Sequence, residues 1–253
     1  MSTTRRQFIT GSVALGAAAL LSSCGSNASK EDPGNTLAHP WPYKQLDAVA
    51  AAQRGYDIYW ERHCMAGPFQ AIVANLGEQL GEPYSSFPFE MLTAGSGGLK
   101  VGSVCGTCNG SALAIALFVA DGADCSAMIN DLFNWYEQTA LPVYVPANPH
   151  EDIAVTPTKA LSNLCHSSVT RWSNAEGLSP SSPEKKERCA RLTADVTQKL
   201  VEMLNAYFAG TWAASSPLSS DTATCRGCHD SGGMVNNTKA KMECTSCHDE
   251  HAL

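Results

Sequence analysis

Residues 225–248 read CRGCHDSGGMVNNTKAKMECTSCH, and Cys-x-x-Cys-His occurs in them twice. Two thiols three positions apart can each add across one vinyl group of a haem, and the His that follows then lies under the ring as an axial iron ligand. The spacing predicts one c-type haem on Cys225, Cys228 and His229, and a second on Cys244, Cys247 and His248. A zinc ribbon or a pair of disulfide hairpins could use the same four Cys, but neither needs a His directly after each pair. With 19 positions between Cys225 and Cys244, the two haems must be near neighbours.

Six further cysteines lie between the amino-terminal segment and these motifs: Cys64, Cys105, Cys108, Cys125, Cys165 and Cys189. They could converge as thiolates on a metal centre, pair as disulfides in an exported protein, or pack singly as small hydrophobic side chains. Spacing alone leaves all three open.

Haem attachment to Cys-x-x-Cys-His requires export, and the amino terminus supplies a signal for it. In TTRRQFITGSVALGAAALLSSC, Arg5 and Arg6 precede Phe8, a short apolar stretch and the ending Leu21-Ser22-Ser23-Cys24. This is the pattern of a twin-arginine lipoprotein signal over residues 1–23, with Cys24 lipidated. The apolar run is too short to span a bilayer comfortably, so membrane association is expected only through the lipid on Cys24 of a periplasmic or otherwise extracytoplasmic protein. Residues 24–40 read as a flexible tether.

The net charge of −7 gives no support to nucleic-acid binding. No G-x-G-x-x-G before a helix, no P-loop and no G-x-S-x-G is present, so hydride and nucleotide chemistry have no motif to rest on. The remaining length suits one main domain, 41–210, and an appendage, 211–253, that carries both haem motifs.

What positions these groups is helical. LDAVAAAQRGYDIYWERHC places Leu46, Val49, Gln53, Tyr56, Trp60 and Cys64 near a 3.6 period, and Gly67-Pro68 is expected to break the helix before PFQAIVANLGEQL restarts it. NGSALAIALFVADG is apolar nearly all round and reads as a central buried helix. Further helices are expected from Asp124, over TPTKALSNLCHSSVTRW, and from Ser182 to Phe208 with Pro183 in the first turn and Gly210 as the stop. The last would bury Cys189, Leu192, Val196, Leu200, Met203 and Tyr207. Little alternates with period two, so the fold class is mainly α: a helical domain with a small, irregular dihaem segment.

HCMAGPFQAIV, GSGGLKVGSVCGTCNGSALAIAL, LCHSSV and ERCARLTADVTQKLVEMLN, in that order, resemble the C_GCAxxG_C_C family. With two carboxy-terminal haem motifs the whole chain from Cys24 on is similar to the split-Soret cytochromes c. The resemblance implies that Cys64, Cys105, Cys165 and Cys189 ligate an iron–sulfur cluster of the [2Fe–2S] kind. Cys108 stands where relatives usually carry an apolar residue and Cys125 lies outside the pattern, so either could replace a member of the quartet. The resemblance also implies a homodimer and bis-His haem iron. Beyond His229 and His248 the spare histidines are His39, His63, His150, His166 and His251. His166, next to Cys165, ranks first as a distal ligand, His63, next to Cys64, second, and His39 on its Pro-stiffened loop third. His251 could reach only the neighbouring ring, and Met234 is expected to pack.

The expectation is an electron carrier working with redox partner proteins rather than a catalyst. A haem iron lacking its sixth ligand would instead make a reductase of a small oxyanion or peroxide, and a third, weaker reading is a sensing or scavenging module.

Overall fold

Asp47 starts helix α1 (Ala48–Leu80) by accepting hydrogen bonds on its carboxylate from the Val49 and Ala50 amides, at 2.9 and 3.0 Å. The computed structural model describes residues 38–215, 218–239 and 241–249. The signal segment, Cys24, all of the tether before residue 38, and His251 lie outside the described residues.

Along the chain follow α2 (Gly106–Phe118), α3 (Ala123–Gln138), strands β1 (Ala140–Leu141) and β2 (Thr158–Lys159), α4 (Cys165–Glu176), α5 (Pro183–Phe208) and α6 (Ser220–His229). The strands pair antiparallel, Ala140 with Lys159 and Leu141 with Thr158. The fold is mainly α, as expected from the periodicity. Helix α5 starts and stops where the sequence reading places it. The Ser182 hydroxyl accepts from the Lys185 amide at 3.3 Å, Pro183 occupies the first turn, and Gly210 follows the end at φ 71°.

Three expectations need correction. The inward stripe of α1 is only partly the predicted set: Leu46 and Tyr56 are buried, but Gln53, Trp60 and Cys64 are half-buried, Val49 is 66% exposed, and the buried face also takes in Ala51, Ala52, Gly55, Ile58 and Tyr59. Small residues are selected there because α5 approaches closely. A Cβ on Gly55 would meet Thr197 Oγ1 at 2.5 Å, and one on Gly67 would strike the Thr193 side chain. Gly67 therefore serves packing, and the break in α1 falls earlier, at His63, with φ 68° and ψ −172°. Pro68 lies inside the helix five residues past the break, where its missing N–H costs one intrahelical bond.

The second correction concerns α2, which is one-sided rather than central: Leu113 is 42% exposed, and Ala116 also faces solvent. The central helix is α5, and its polarity hid this from a hydropathy reading, since Glu187, Arg188, Arg191 and Asp195 are all buried. Third, α4 does not extend back through TPTKALSN; it begins at Cys165, because Thr158 and Lys159 are held in the strand pair.

Candidate functional site

Four helix boundaries bring cysteines to one place. Cys64 directly follows the break at His63, Cys105 is the cap residue of α2, Cys165 opens α4, and Cys189 lies in the second turn of α5. The amide of Cys105 donates to the Asn163 carbonyl and that of Cys165 to the Ser103 carbonyl, both at 2.8 Å, around an isolated bridge between Val104 and Leu164. Two positions without side chains make the approach possible. A Cβ on Gly106 would collide with Cys64 Sγ, and one on Gly98, at φ 59°, would come within 2.9 Å of Cys165 Cβ. Cys64, Cys105, Cys165 and Cys189 thus line a single cavity of about 40 Å³, together with His63 and Arg188.

Cys108 lies behind Cys105, fully buried and outside this lining, and Cys125 sits apart on α3. Burial pushes the Cys64 thiol well up, with Cys105 and Cys189 adding to it, and burial likewise raises Cys165 to about 12, with the same type of help from Cys105 and Cys189. A hydrogen bond from Cys108 outweighs burial and lowers Cys105. Several thiolates this close cannot coexist in a buried site without positive charge, and a bound metal provides it. No group of three His, Cys, Asp or Glu among the described residues closes to the spacing of a single-ion site. Four cysteine thiols are a donor set that fits iron.

The haem motifs build a second site. Both line one cavity of about 640 Å³, which contains Cys225, Cys228, His229, Cys244, Cys247 and His248. The first motif is helical: Cys225 and Cys228 fall one turn apart on α6, and His229 ends it. The second is a turn, closed by the amides of Cys247 and His248 donating to the Cys244 carbonyl at 3.1 and 3.0 Å. The Cys225 and Cys244 side chains are within hydrogen-bonding reach of each other. His229 Nδ1 meets Asn237 Oδ1 at 2.9 Å, which turns Nε2 toward the role of iron ligand. Thiol pairs and imidazoles around one large cavity are a donor set that fits covalent haem.

The spare histidines are distributed elsewhere. His63 lines the thiol cavity, His166 is exposed on the first turn of α4, and His39 Nε2 meets the Ala116 carbonyl at 2.5 Å. His150 stacks on Trp60 with ring centroids 4.5 Å apart. Among the described residues lining the haem cavity, the only histidines are those of the two motifs.

Three residues of the sites escaped the sequence reading: Arg188, Asn237 and Glu137. Arg188 carried a signal, a cation beside Cys189 on the face expected to be buried; Asn237 and Glu137 carried none, since their partners are distant in the chain or set by a loop. Glu137, 4% exposed on α3, lines a cavity with Asn163, two residues before Cys165, and Glu243, next to Cys244, and the backbone amides of both act to lower its carboxyl. Burial raises its carboxyl to about 7, against the pull of those two amides and with Glu243 adding to the rise. A folded pKa above the ordinary value stabilises fully below that ordinary value and ceases to do so as pH rises through about 7. Docking of residues 241–249 should therefore weaken by about 2 kcal/mol between pH 5 and 8.5, allowing for water in the adjoining cavity. Hydrogen exchange at the Glu243 and Cys244 amides checks this. Protection should fall with pH in the natural protein and stay flat in Glu137→Gln.

A family model described as "Putative redox-active protein (C_GCAxxG_C_C)" matches residues 69–203. The chain is 35% identical over 219 residues to the split-Soret cytochrome c of Desulfovibrio desulfuricans, covering 83% of this chain and 78% of that protein. A solved structure described as "A novel iron centre in the split-Soret cytochrome c from Desulfovibrio desulfuricans ATCC 27774" superposes with a TM-score of 0.78 at 36% identity, over 84% of this chain and 91% of that one.

Proposed function

Because the chain belongs to the split-Soret cytochrome c family and carries its C_GCAxxG_C_C pattern, we propose that it is an exported dihaem electron-transfer protein with a cysteine-held iron–sulfur centre. The observation that carries this reading is that both Cys-x-x-Cys-His motifs open on one cavity while four cysteines line another within the same compact unit. Bound haem and iron supply one-electron exchange. The protein's own residues do the rest. Cys225, Cys228, Cys244 and Cys247 hold the rings, His229 and His248 ligate beneath them, and Asn237 orients His229. Cys64, Cys105, Cys165 and Cys189 hold the [2Fe–2S] centre, and Glu137 keeps the two sites in register.

The twin-arginine pattern and Cys24 support export and lipid anchoring outside the cytoplasm, in keeping with a cytochrome c. No helix among the described residues is long and apolar enough to cross a membrane. One sixth haem ligand comes, on this reading, from a second copy of the chain: His166 is exposed, so a homodimer could present it to one of the partner's haems.

The absence of a third histidine from the described lining of the haem cavity favours one alternative, an open iron that reduces a small oxyanion or peroxide. Carbon monoxide separates the two. The reduced, anaerobically purified protein should remain low-spin and refuse the gas, whereas His166→Ala should bind it at one haem with covalent haem content unchanged. Carbon monoxide binding to the unaltered protein would establish the reductase reading instead.

A further inference from the structure

Arg188 is 1% exposed, in the middle of the molecule, beside the four cysteines. One terminal nitrogen donates to Ser168 Oγ at 2.9 Å and the other stands 3.9 Å from Cys189 Sγ, while Nε has no hydrogen-bond partner among the described residues. The buried ions around it on α5 are already engaged. Glu187 accepts from Arg191 Nε at 2.7 Å and from the Tyr56 hydroxyl, and Asp195 accepts from the Val143 amide at 2.8 Å. Among the described residues no carboxylate is in ion-pair contact with Arg188, and Asp195, already bonded to the Val143 amide, feels its charge only at a distance.

A guanidinium keeps its charge at any physiological pH, and an unpaired one in a dry interior is costly. Neutral thiols cannot balance a full cation. Four iron-bound thiolates with bridging sulfides can, because they carry more negative charge than the irons neutralise, and the excess grows by one on reduction.

We propose that Arg188 is the buried counter-ion of the cysteine-held iron centre, raising its reduction potential and favouring its assembly. The proposal rests on the reading that Cys64, Cys105, Cys165 and Cys189 hold iron. Its physical basis is that a cation fixed in low dielectric stabilises the reduced, more negative state more than the oxidised one. Ser168 acts on the guanidinium rather than on the iron, so it is a positioning residue.

The test is an anaerobic redox titration of the haem-loaded protein, preceded by an iron count, for the natural chain, Arg188→Met and Arg188→Lys. Arg188→Met should lower the reduction equilibrium constant of the non-haem centre at least tenfold, equivalent to 59 mV for one electron. Haem content and haem potentials should stay as they were. Arg188→Lys, which keeps the charge, should recover most of the shift. A fully iron-loaded Arg188→Met with an unchanged potential overturns the proposal. Should Arg188→Met fail to retain the centre, iron kept in Arg188→Lys supports the role of charge, and equal loss from both overturns it. Only haem iron in the natural chain would overturn the underlying reading itself, and the count made first distinguishes that outcome.

Discussion

Replacing Cys225 and Cys228 together by alanine should halve the covalent haem of the purified protein, from the proposed two per chain to one, and the Cys244, Cys247 double variant should do the same. Together the four changes leave none. The effect is large because thioether attachment is all-or-none at each motif: without its thiols a ring cannot be retained through acid–acetone extraction. Pyridine haemochrome absorbance per protein, with mass spectrometry of residues 225–248, reads the stoichiometry directly. A natural chain carrying no added haem in a host able to mature c-type cytochromes would refute the assignment. The second motif is a turn, and α6 is a ten-residue helix ending in His229. Such a segment can remain accessible until haem arrives even if the helical part has folded first. In the same experiment Arg5→Lys with Arg6→Lys should therefore give cytoplasmic protein that holds its iron centre and no haem.

On the proposed assignment, Cys165→Ser should abolish the non-haem iron while leaving both haems in place. A serine hydroxyl is a poor ligand for iron in a thiolate site, and losing one first-sphere ligand should reduce retention of the centre at least 100-fold, more than the 10- to 100-fold cost of an outer-shell change. Cys165 is the cleanest position to alter. It is only half-buried at the start of α4, whereas Cys105 caps α2 and is 6% exposed. Iron analysis corrected for haem, with electron paramagnetic resonance of the reduced sample, measures the result. Cys108→Ala and Cys125→Ala are the controls, and both should keep the centre, since neither side chain lines the cavity. Loss of iron from Cys108→Ala with retention in Cys165→Ser would exchange the two in the ligand set.

The helix boundaries illustrate how far local rules reach. Ser182, Pro183 and Gly210 mark α5 because a cap, a pre-set φ and a left-handed stop each act within one turn of the residue concerned. The same kind of reading misplaced the α1 break at Gly67-Pro68. Glycine and proline are read as breakers when considered along the chain, yet Gly67 is spent on contact with Thr193, more than 120 positions away. It also put Val49 on the inner face of α1 and missed Ala51, Ala52 and Gly55, which the close approach of α5 requires there. Hydropathy chose α2 as the central helix, because Glu187, Arg188, Arg191 and Asp195 make α5 look like a surface element. Their burial becomes intelligible only with their partners in view.

By itself the sequence determined what depends on neighbours in the chain: a mainly α fold, the two haem-attachment motifs, and a spaced cysteine pattern sufficient to recognise the family. The tertiary structure decided the rest. It turned both haem motifs onto one cavity, brought Cys64, Cys105, Cys165 and Cys189 together while setting Cys108 outside that lining, and left Arg188 hydrogen-bonded, among the described residues, only to sulfur and one hydroxyl. The physical reason is one of range. Caps, breaks and thioether spacing are settled by bonds and sterics over a few residues, whereas a buried site forms where α1, α2, α4 and α5 meet. Which side chains it desolvates, and which charges it leaves for a cofactor to balance, is fixed only by the contact between those distant segments.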